Sequence, residues 1–521
     1  MNQNSSESSE SSERAESRVS LGTKIAAGTG EAAINIGINL PKNFAFPIYN
    51  IVLGVSPTLL GIALFIPRLW DALIDPVMGN ISDNTRSRWG RRRPYMLIGG
   101  LLSACCIGLL CIFPRHLKQG YWIETVWSIL GISAPAGDWL YAGWLMLMSV
   151  LFYTALTVFA VPYGALTMEL TRDYAERTRV MSFRTLFTYL SGFLMAWLYA
   201  IAEWDIFRDD SGQKDVIKGS QAVGVLLVGF FLVVTLIPSF LVREPTFRGL
   251  VTNKSEPTTR FWSGLRQTLS EPAFLLIVGA YTVGFLGVIM VIGLGLYLTI
   301  YRVYNGDRGT GSVVQGWSQT LAVVMGIVTV VVMNRLSGRV EKKALLVGAL
   351  GCSFVGGLLS WVLYCPDLPT WNLLGWMPGD FRWPFHPLAF SHALIWPGLA
   401  GLLVMSNSMI ADVCDLDELK TGLRREGMYW AVFNWIQKSA ISIALLFSGI
   451  VLDLSGFEAS RPTQSPEVID RLRLTYMAMV CGGVGLAAFL VAMIPITRSR
   501  MDKVQHQLRE CGTLRSVRSD S

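Results

Sequence analysis

Charge is scarce in this chain. Only 16% of its 521 residues are Asp, Glu, Lys or Arg, where a soluble domain averages about 25%. That scarcity excludes an ordinary water-soluble fold. Histidine is scarcer still: His116, His386, His392 and His506 are the whole set, too scattered for a metal cluster. Eight cysteines include no CxxC and no Cys/His spacing, so most read as small buried hydrophobes. No nucleophile–base pair and no separate catalytic domain is evident, so the chain does not read as an enzyme and no cofactor is expected. A cleavable signal is also missing. Residues 1–29 open with a Ser/Glu-rich stretch, MNQNSSESSESSERAESRVS, too polar to fold alone, and are expected to form a disordered cytoplasmic tail.

What is present is apolar. Hydrophobic residues make up 52% of the chain and mean hydropathy is +0.44. Runs of roughly 20 apolar residues recur, enough to cross about 30 Å of hydrocarbon as a helix. The alternation of a membrane barrel is absent. Twelve spans are expected, at about 30–54, 57–83, 95–114, 141–168, 181–203, 220–242, 271–300, 313–335, 343–364, 389–411, 428–453 and 474–496. The fold class is therefore an all-α membrane protein of twelve transmembrane helices. Its expected parts are an N-terminal six-helix bundle (30–242), a cytoplasmic linker (243–270), a C-terminal six-helix bundle (271–496) and a cytoplasmic tail (497–521).

The net charge of +7 does not point to nucleic acid, because the basic residues collect in alternate loops. Arg86, Arg88, Arg91, Arg92 and Arg93 follow span two; Arg172, Arg177 and Arg179 follow span four; Arg339, Lys342 and Lys343 follow span eight; Lys420, Arg424 and Arg425 follow span ten. By the positive-inside rule both termini are cytoplasmic, in a multi-pass inner-membrane protein. GNISDNTRSRWGRRRP after span two is faintly echoed by MNRLSGRVEKKAL after span eight. Two six-helix halves suit a transporter built from repeats, with its site near the midplane. Trp122, Trp376 and Trp383, near span ends, read as interface anchors.

Within span two, PRLWDALIDPVMG places Arg68, Asp71 and Asp75 on one helical stripe. A charge at the bilayer centre costs roughly 2.5–3.5 kcal/mol on insertion scales, so such groups usually face a polar cavity and carry function. Two readings stand: an ion-paired packing contact, or a site where a proton or Na⁺ neutralises the acid that Arg68 leaves over. Lys438 in span eleven can alter that count if it reaches the same cavity. Thr157 can lend an oxygen to a cation or bond its own backbone. Asn43 and Tyr163 are polar groups suited to sugar hydroxyls. Arg184 is either a snorkelling end-of-span arginine or a solute ligand. At the inner ends, Asp83 before Arg91, Arg92 and Arg93, and Asp412 and Asp415 before Arg424, Arg425 and Glu426, form either an ionic gate or ordinary topology-setting charge.

WDALIDPVMGNISDNTRSRWGRRRP and ADVCDLDELKTGLRREGMYWAVFNWIQKSA resemble the glycoside–pentoside–hexuronide:cation symporters, the melibiose-permease branch of the major facilitator superfamily, over about residues 30–496. The resemblance implies two six-helix bundles, alternating access and solute uptake coupled to H⁺, Na⁺ or Li⁺. It places the cation at Asp71 and Asp75 with Thr157, so a metal ion there would be Na⁺, and it matches Arg68, Arg184 and Lys438 to functional positions. Ile74 stands where the permease has a helpful asparagine. Asn43 and Ala160 stand in place of its sugar-binding aspartates, and Gly164 in place of its stacking tryptophan. The coupling residues are retained and the solute contacts are rebuilt. The expected function is a symporter importing a sugar, glycoside or hexuronide, with the solute, a monovalent cation and membrane lipid as partners and no nucleic acid. The alternatives are another cargo, such as an amphipathic lipid, or a non-transporting membrane sensor.

Overall fold

The computed structural model describes residues 19–508 apart from 86, 113–125, 130–131, 172–173, 210–211, 213, 243–260, 373–382, 423–424, 460 and 505. Trp122, Trp376, Arg86, Arg172, Arg424 and most of the 243–270 segment lie outside the described residues. The chain divides into two compact units. One comprises Met1–Thr252 with Glu458–Ser460, the other Asn253–Phe457 with Arg461–Ser521.

In the first unit the long helices are α1 (Leu21–Phe44), α2 (Pro57–Asn84), α3 (Arg93–Leu110), α4 (Ala136–Met168), α5 (Tyr174–Ala202) and α6 (Val216–Leu241). In the second they are α7 (Pro272–Tyr297), α8 (Arg308–Leu336), α9 (Lys342–Leu363), α10 (Leu388–Thr421), α11 (Glu426–Leu454) and α12 (Pro466–Met493). Eleven of the twelve meet the length and apolarity of a membrane span; α1 is the exception. Its glycines, asparagines and charges lower its hydropathy, yet Ala26, Ala27, Ala33 and Ile36 are fully buried in the unit.

Several boundaries correct the sequence reading. Helix α1 begins at Leu21, inside the expected tail, because Ser20 Oγ accepts the Thr23 N–H at 3.2 Å and starts the helix. A nine-residue helix, Phe261–Leu269, occupies the end of the expected linker, and 498–504 of the expected tail is helical. Asp215 and Asp307 cap α6 and α8, and Gly422 ends α10 with φ 70°, a left-handed turn that glycine adopts without strain.

The all-helical expectation also missed two small antiparallel hairpins. β1 (Val126–Ile129) pairs with β2 (Ile132–Pro135) in the loop before α4, and β3 (Trp371–Asn372) pairs with β4 (Pro384–Phe385) in the loop before α10. They occupy the same place in the two halves. The same echo appears in the backbone: α1 runs into a π-helix at Ala45–Val52 and α7 into another at Leu298–Val303. Pro47 lies in the first of these and supplies no N–H to an α-helical ladder.

Glycine sets how closely helices approach in the first unit. A Cβ on Gly30 would strike the Tyr163 ring, and one on Gly99 would strike the backbone of α4 at Phe159. Gly30 therefore lets α1 approach α4 closely, and Gly99 lets α3 do the same.

Candidate cation and solute site

Helix α2 carries the acid stripe. Arg68 Nη1 donates to Asp71 Oδ2 at 3.1 Å. From α4, the Thr157 hydroxyl donates to the other Asp71 oxygen at 2.8 Å and stands 3.5 Å from Asp75 Oδ1. Arg68 is 2% and Asp71 5% exposed, while Asp75 is half-buried. The Arg68 guanidinium lies 4.8 Å over the Tyr153 ring, and Trp70 Nε1 ties α2 to Thr154 of α4 at 3.0 Å. Pro67 and Pro76 sit inside α2. Each removes one helical N–H, freeing a carbonyl four residues back. Two helices thus bring carboxylate oxygens and a hydroxyl together in a membrane-buried place, a donor set that suits a proton or a hard cation.

Lys42, which sequence reasoning left unassigned, changes the charge count. It lies half-buried on α1, within electrostatic reach of Arg68, and among the described residues no carboxylate lies within ion-pairing distance of it. The first unit therefore holds a second base near Arg68, where sequence alone counted one. Asn43, next in the chain, is half-buried. Lys438 is half-buried on α11 of the second unit.

Arg184 and Tyr163 are more enclosed than their sequence reading expected. Arg184 donates to Glu31 Oε2 from Nε at 2.8 Å and from Nη2 at 2.5 Å, and from Nη1 to Thr167 at 3.0 Å. It forms an ion pair between α5 and α1 in this structure. Tyr163 is 0% exposed. Its hydroxyl donates to the Ala27 carbonyl, and Arg184 lies 5.1 Å over its ring. Glu31 was missed, although GEAAINIGINLPKN sets Glu31, Asn35, Asn39 and Asn43 at steps of four, a polar stripe on one helix face. Asn35 uses it to reach Thr188 O at 3.1 Å and Ser191 Oγ at 2.8 Å on α5.

The charges at the helix ends pair inside each unit. Arg92, 4% exposed, bonds Asp83 at 2.9 Å and Glu169 at 2.7 Å, while Arg91 reaches Glu169 only at 3.4 Å from an exposed position. Arg93 caps the end of α6 by donating to Ser239 O at 2.9 Å and Phe240 O at 2.6 Å. In the second unit Lys342 holds Asp412 at 2.7 Å, the counterpart of the Arg92–Glu169 pair. Asp415 is half-buried nearby. Arg425 grips both oxygens of Asp417, with 2.5 Å at the shortest, and Lys420 holds Glu271 at 2.8 Å. The side chain of Glu426 lies outside the described residues. On the first unit's rim, Lys24 meets Glu176 at 2.7 Å and Arg179 meets it too. The Lys24 hydrogen bond, seconded by that from Arg179, holds the Glu176 carboxyl below the usual range against the opposing effect of burial.

Two units of six long helices, with one buried and one half-buried acid on a single helix of the first, define a polytopic membrane transporter of the major facilitator fold. A solved bacterial homologue of the human lysosomal transporter Spinster has that fold, at TM-score 0.58 and 13% identity over 91% of this chain and 94% of the other. The profile of the MFS/sugar transport protein family matches residues 26–498, and the chain belongs to that family, which includes the glycoside–pentoside–hexuronide:cation symporters. Its members are transporters, not enzymes. The chain is similar to the uncharacterized symporter sll1374 of Synechocystis sp., at 25% identity over 94% of this chain and 96% of the relative. It is equally similar to the glucuronide carrier protein homolog of Escherichia coli K12, at 25% identity over 94% and 95%.

Proposed function

We propose that this protein imports a sugar, glycoside or hexuronide through the inner membrane together with Na⁺ or H⁺, by alternating access of its two halves. The observation that carries the reading is the meeting of Asp71, Asp75 and Thr157 across α2 and α4. A transporter with no ion to bind gains nothing from two acids held there, since each acid is costly in the bilayer. In this reading the cation sits between Asp71 and Asp75 with Thr157 assisting, and Arg68 fixes the Asp71 carboxylate. Binding the cation favours the solute-receptive state by its differential affinity for that state. Asn43, Arg184 and Lys438 remain proposed contributors to the solute path, with Tyr163 behind Arg184. The ionic clusters at Arg92 and Lys342 serve the cytoplasmic ends, and both termini are cytoplasmic by the distribution of basic loops.

Lys42 narrows the cargo. A half-buried base near Arg68, without a carboxylate partner among the described residues, supports a solute that brings its own acid group, as a hexuronide does. A relative named a glucuronide carrier homolog agrees with that choice. The test is uptake into proteoliposomes of glucuronides, neutral glycosides and a lysolipid, under a Na⁺ gradient or a proton gradient alone. Gradient-driven accumulation of a glucuronide that is lost in Asp75→Asn supports the reading. Accumulation of the lysolipid alone moves the cargo to an amphipathic lipid, and uptake unaffected by either gradient removes the coupling.

A further inference from the structure

Three arginines gather at the end of the second unit opposite Lys342 and Asp412. There the π-helix after α7, the end of α9 and the start of α12 flank an open groove of about 550 Å³, lined by Arg302, Arg471 and Arg473 with Glu467 and Asp470 against them. Arg473 lies seven residues past Pro466 in α12, or about 10 Å along the helix axis. Its guanidinium stacks 4.0 Å over the Trp361 ring and donates to the Trp361 carbonyl. Arg302 reaches Asp470 only at 3.6 Å, and Arg302 and Arg473 lie within electrostatic reach of one another. The Nε–H of each is buried with no acceptor among the described residues.

An arginine that snorkels puts its whole head in water. These two withhold a donor from water and leave it unmatched, at the cost of desolvation. An oxygen-rich anion between them would accept both Nε–H groups and relieve the repulsion of the two like charges. The flank of the groove identifies the carrier of that anion. Leu474, Val362 and Leu358 beside it are 53%, 60% and 46% exposed, an apolar surface that acyl chains would cover.

We propose that this groove seats the phosphate head of an anionic phospholipid in the leaflet away from the basic loops, with its chains along α9 and α12. The surplus positive charge selects an anionic over a zwitterionic headgroup, each Lys or Arg near the surface adding attraction to such lipids. The site is distinct from the cation and solute site, since none of its lining residues is among those assigned to either.

Native mass spectrometry of the purified full-length protein, exchanged into phosphatidylglycerol or phosphatidylcholine, tests it. Phosphatidylglycerol should be retained preferentially. Retention should fall roughly fivefold in Arg302→Gln and in Arg473→Gln, and hold in Arg498→Gln at the far end of the unit. Should Arg473→Gln fail to yield folded protein, Arg302→Gln carries the comparison. Equal retention of phosphatidylcholine overturns the proposal, as does retention unchanged in both groove variants. Thermal stabilisation by millimolar inorganic phosphate as large as that by phosphatidylglycerol would assign the groove to a soluble anion and overturn the lipid assignment.

Discussion

Arg68 and Asp71, three residues apart on α2, form a buried ion pair at 3.1 Å that uses only one of the two Asp71 oxygens. The second oxygen accepts the Thr157 hydroxyl, which also faces Asp75. The two aspartates are therefore unequal. Asp71 is tied into the protein, and its neutralisation leaves a buried guanidinium without its carboxylate, a loss of about 3–5 kcal/mol for a buried pair. Asp75, half-buried, is the carboxylate that the proposed function assigns to the arriving cation. Asp71→Asn should lower both thermal stability and transport. Asp75→Asn should abolish gradient-driven accumulation while the melting temperature stays near wild type. Thr157→Ala should weaken the apparent affinity for the cation about two- to tenfold, the worth of one hydrogen bond. Accumulation in proteoliposomes and melting of the solubilised protein read the two quantities separately.

Lys42 leads to a second expectation. If it meets an acid group on the solute, Lys42→Gln should raise the KM for a glucuronide about tenfold or more, as expected for a charge-assisted hydrogen bond. Transport of a neutral glycoside should change little. Equal loss for both cargoes would assign Lys42 a structural role beside Arg68.

Neighbouring arginines at the head of α3 should differ sharply. Arg92 is enclosed and serves two carboxylates. Arg91 is exposed and reaches Glu169 at 3.4 Å. Arg92→Ala should destabilise by about 2–3 kcal/mol, under the full cost of a buried pair because its partners reach solvent. Arg91→Ala should fall within the 0–1 kcal/mol of a surface pair. Chemical denaturation of both variants in one detergent is the measurement.

The legible part of this chain was whatever follows from local period and membrane cost. Eleven of the twelve expected spans follow from the length of apolar runs, and the stripe of Arg68, Asp71 and Asp75 from helical spacing. Thr157 needed the resemblance, because a threonine in a helix carries no sign of which neighbour it will meet. Partnerships between helices were less legible. Arg184 looked available because its partner Glu31 lies 153 residues earlier in the chain, and Arg93 looked like a gate residue because the carbonyls it caps belong to α6. Lys42 was visible as a charge in a span, yet only the fold sets it beside Arg68. The hairpins before α4 and α10 fall between apolar runs, where segments of two to four residues give periodicity too little length to register.

In the second unit Arg425 and Asp417 join the end of α10 to the start of α11 through a bidentate pair, and Arg425 also donates to Gln267 Oε1 at 2.5 Å. Both partners are nearly excluded from solvent. Removing one leaves the other uncompensated, so Arg425→Gln and Asp417→Asn should each cost about 3–5 kcal/mol. The double variant should recover part of that loss, because neither charge is then left buried alone. A double-mutant cycle on thermal stability measures the coupling; strictly additive losses would mean the two residues act on separate contacts.

Acid should weaken the first unit at one identifiable place. Glu176 is held charged by Lys24 and then by Arg179, so its folded pKa lies below the unfolded value, which is about 4.3 for a free glutamate. A depressed carboxylate contributes stability that is complete above the unfolded pKa and is lost as pH falls through the folded one. Glu176→Gln should therefore melt lower than wild type at pH 7, and the gap should close as the pH is brought down past the folded value. Melting curves of both proteins across pH 3–7 check the sign. A gap that persists unchanged at the acid end would mean that Glu176 stabilises the α1–α5 rim by packing and not by its charge.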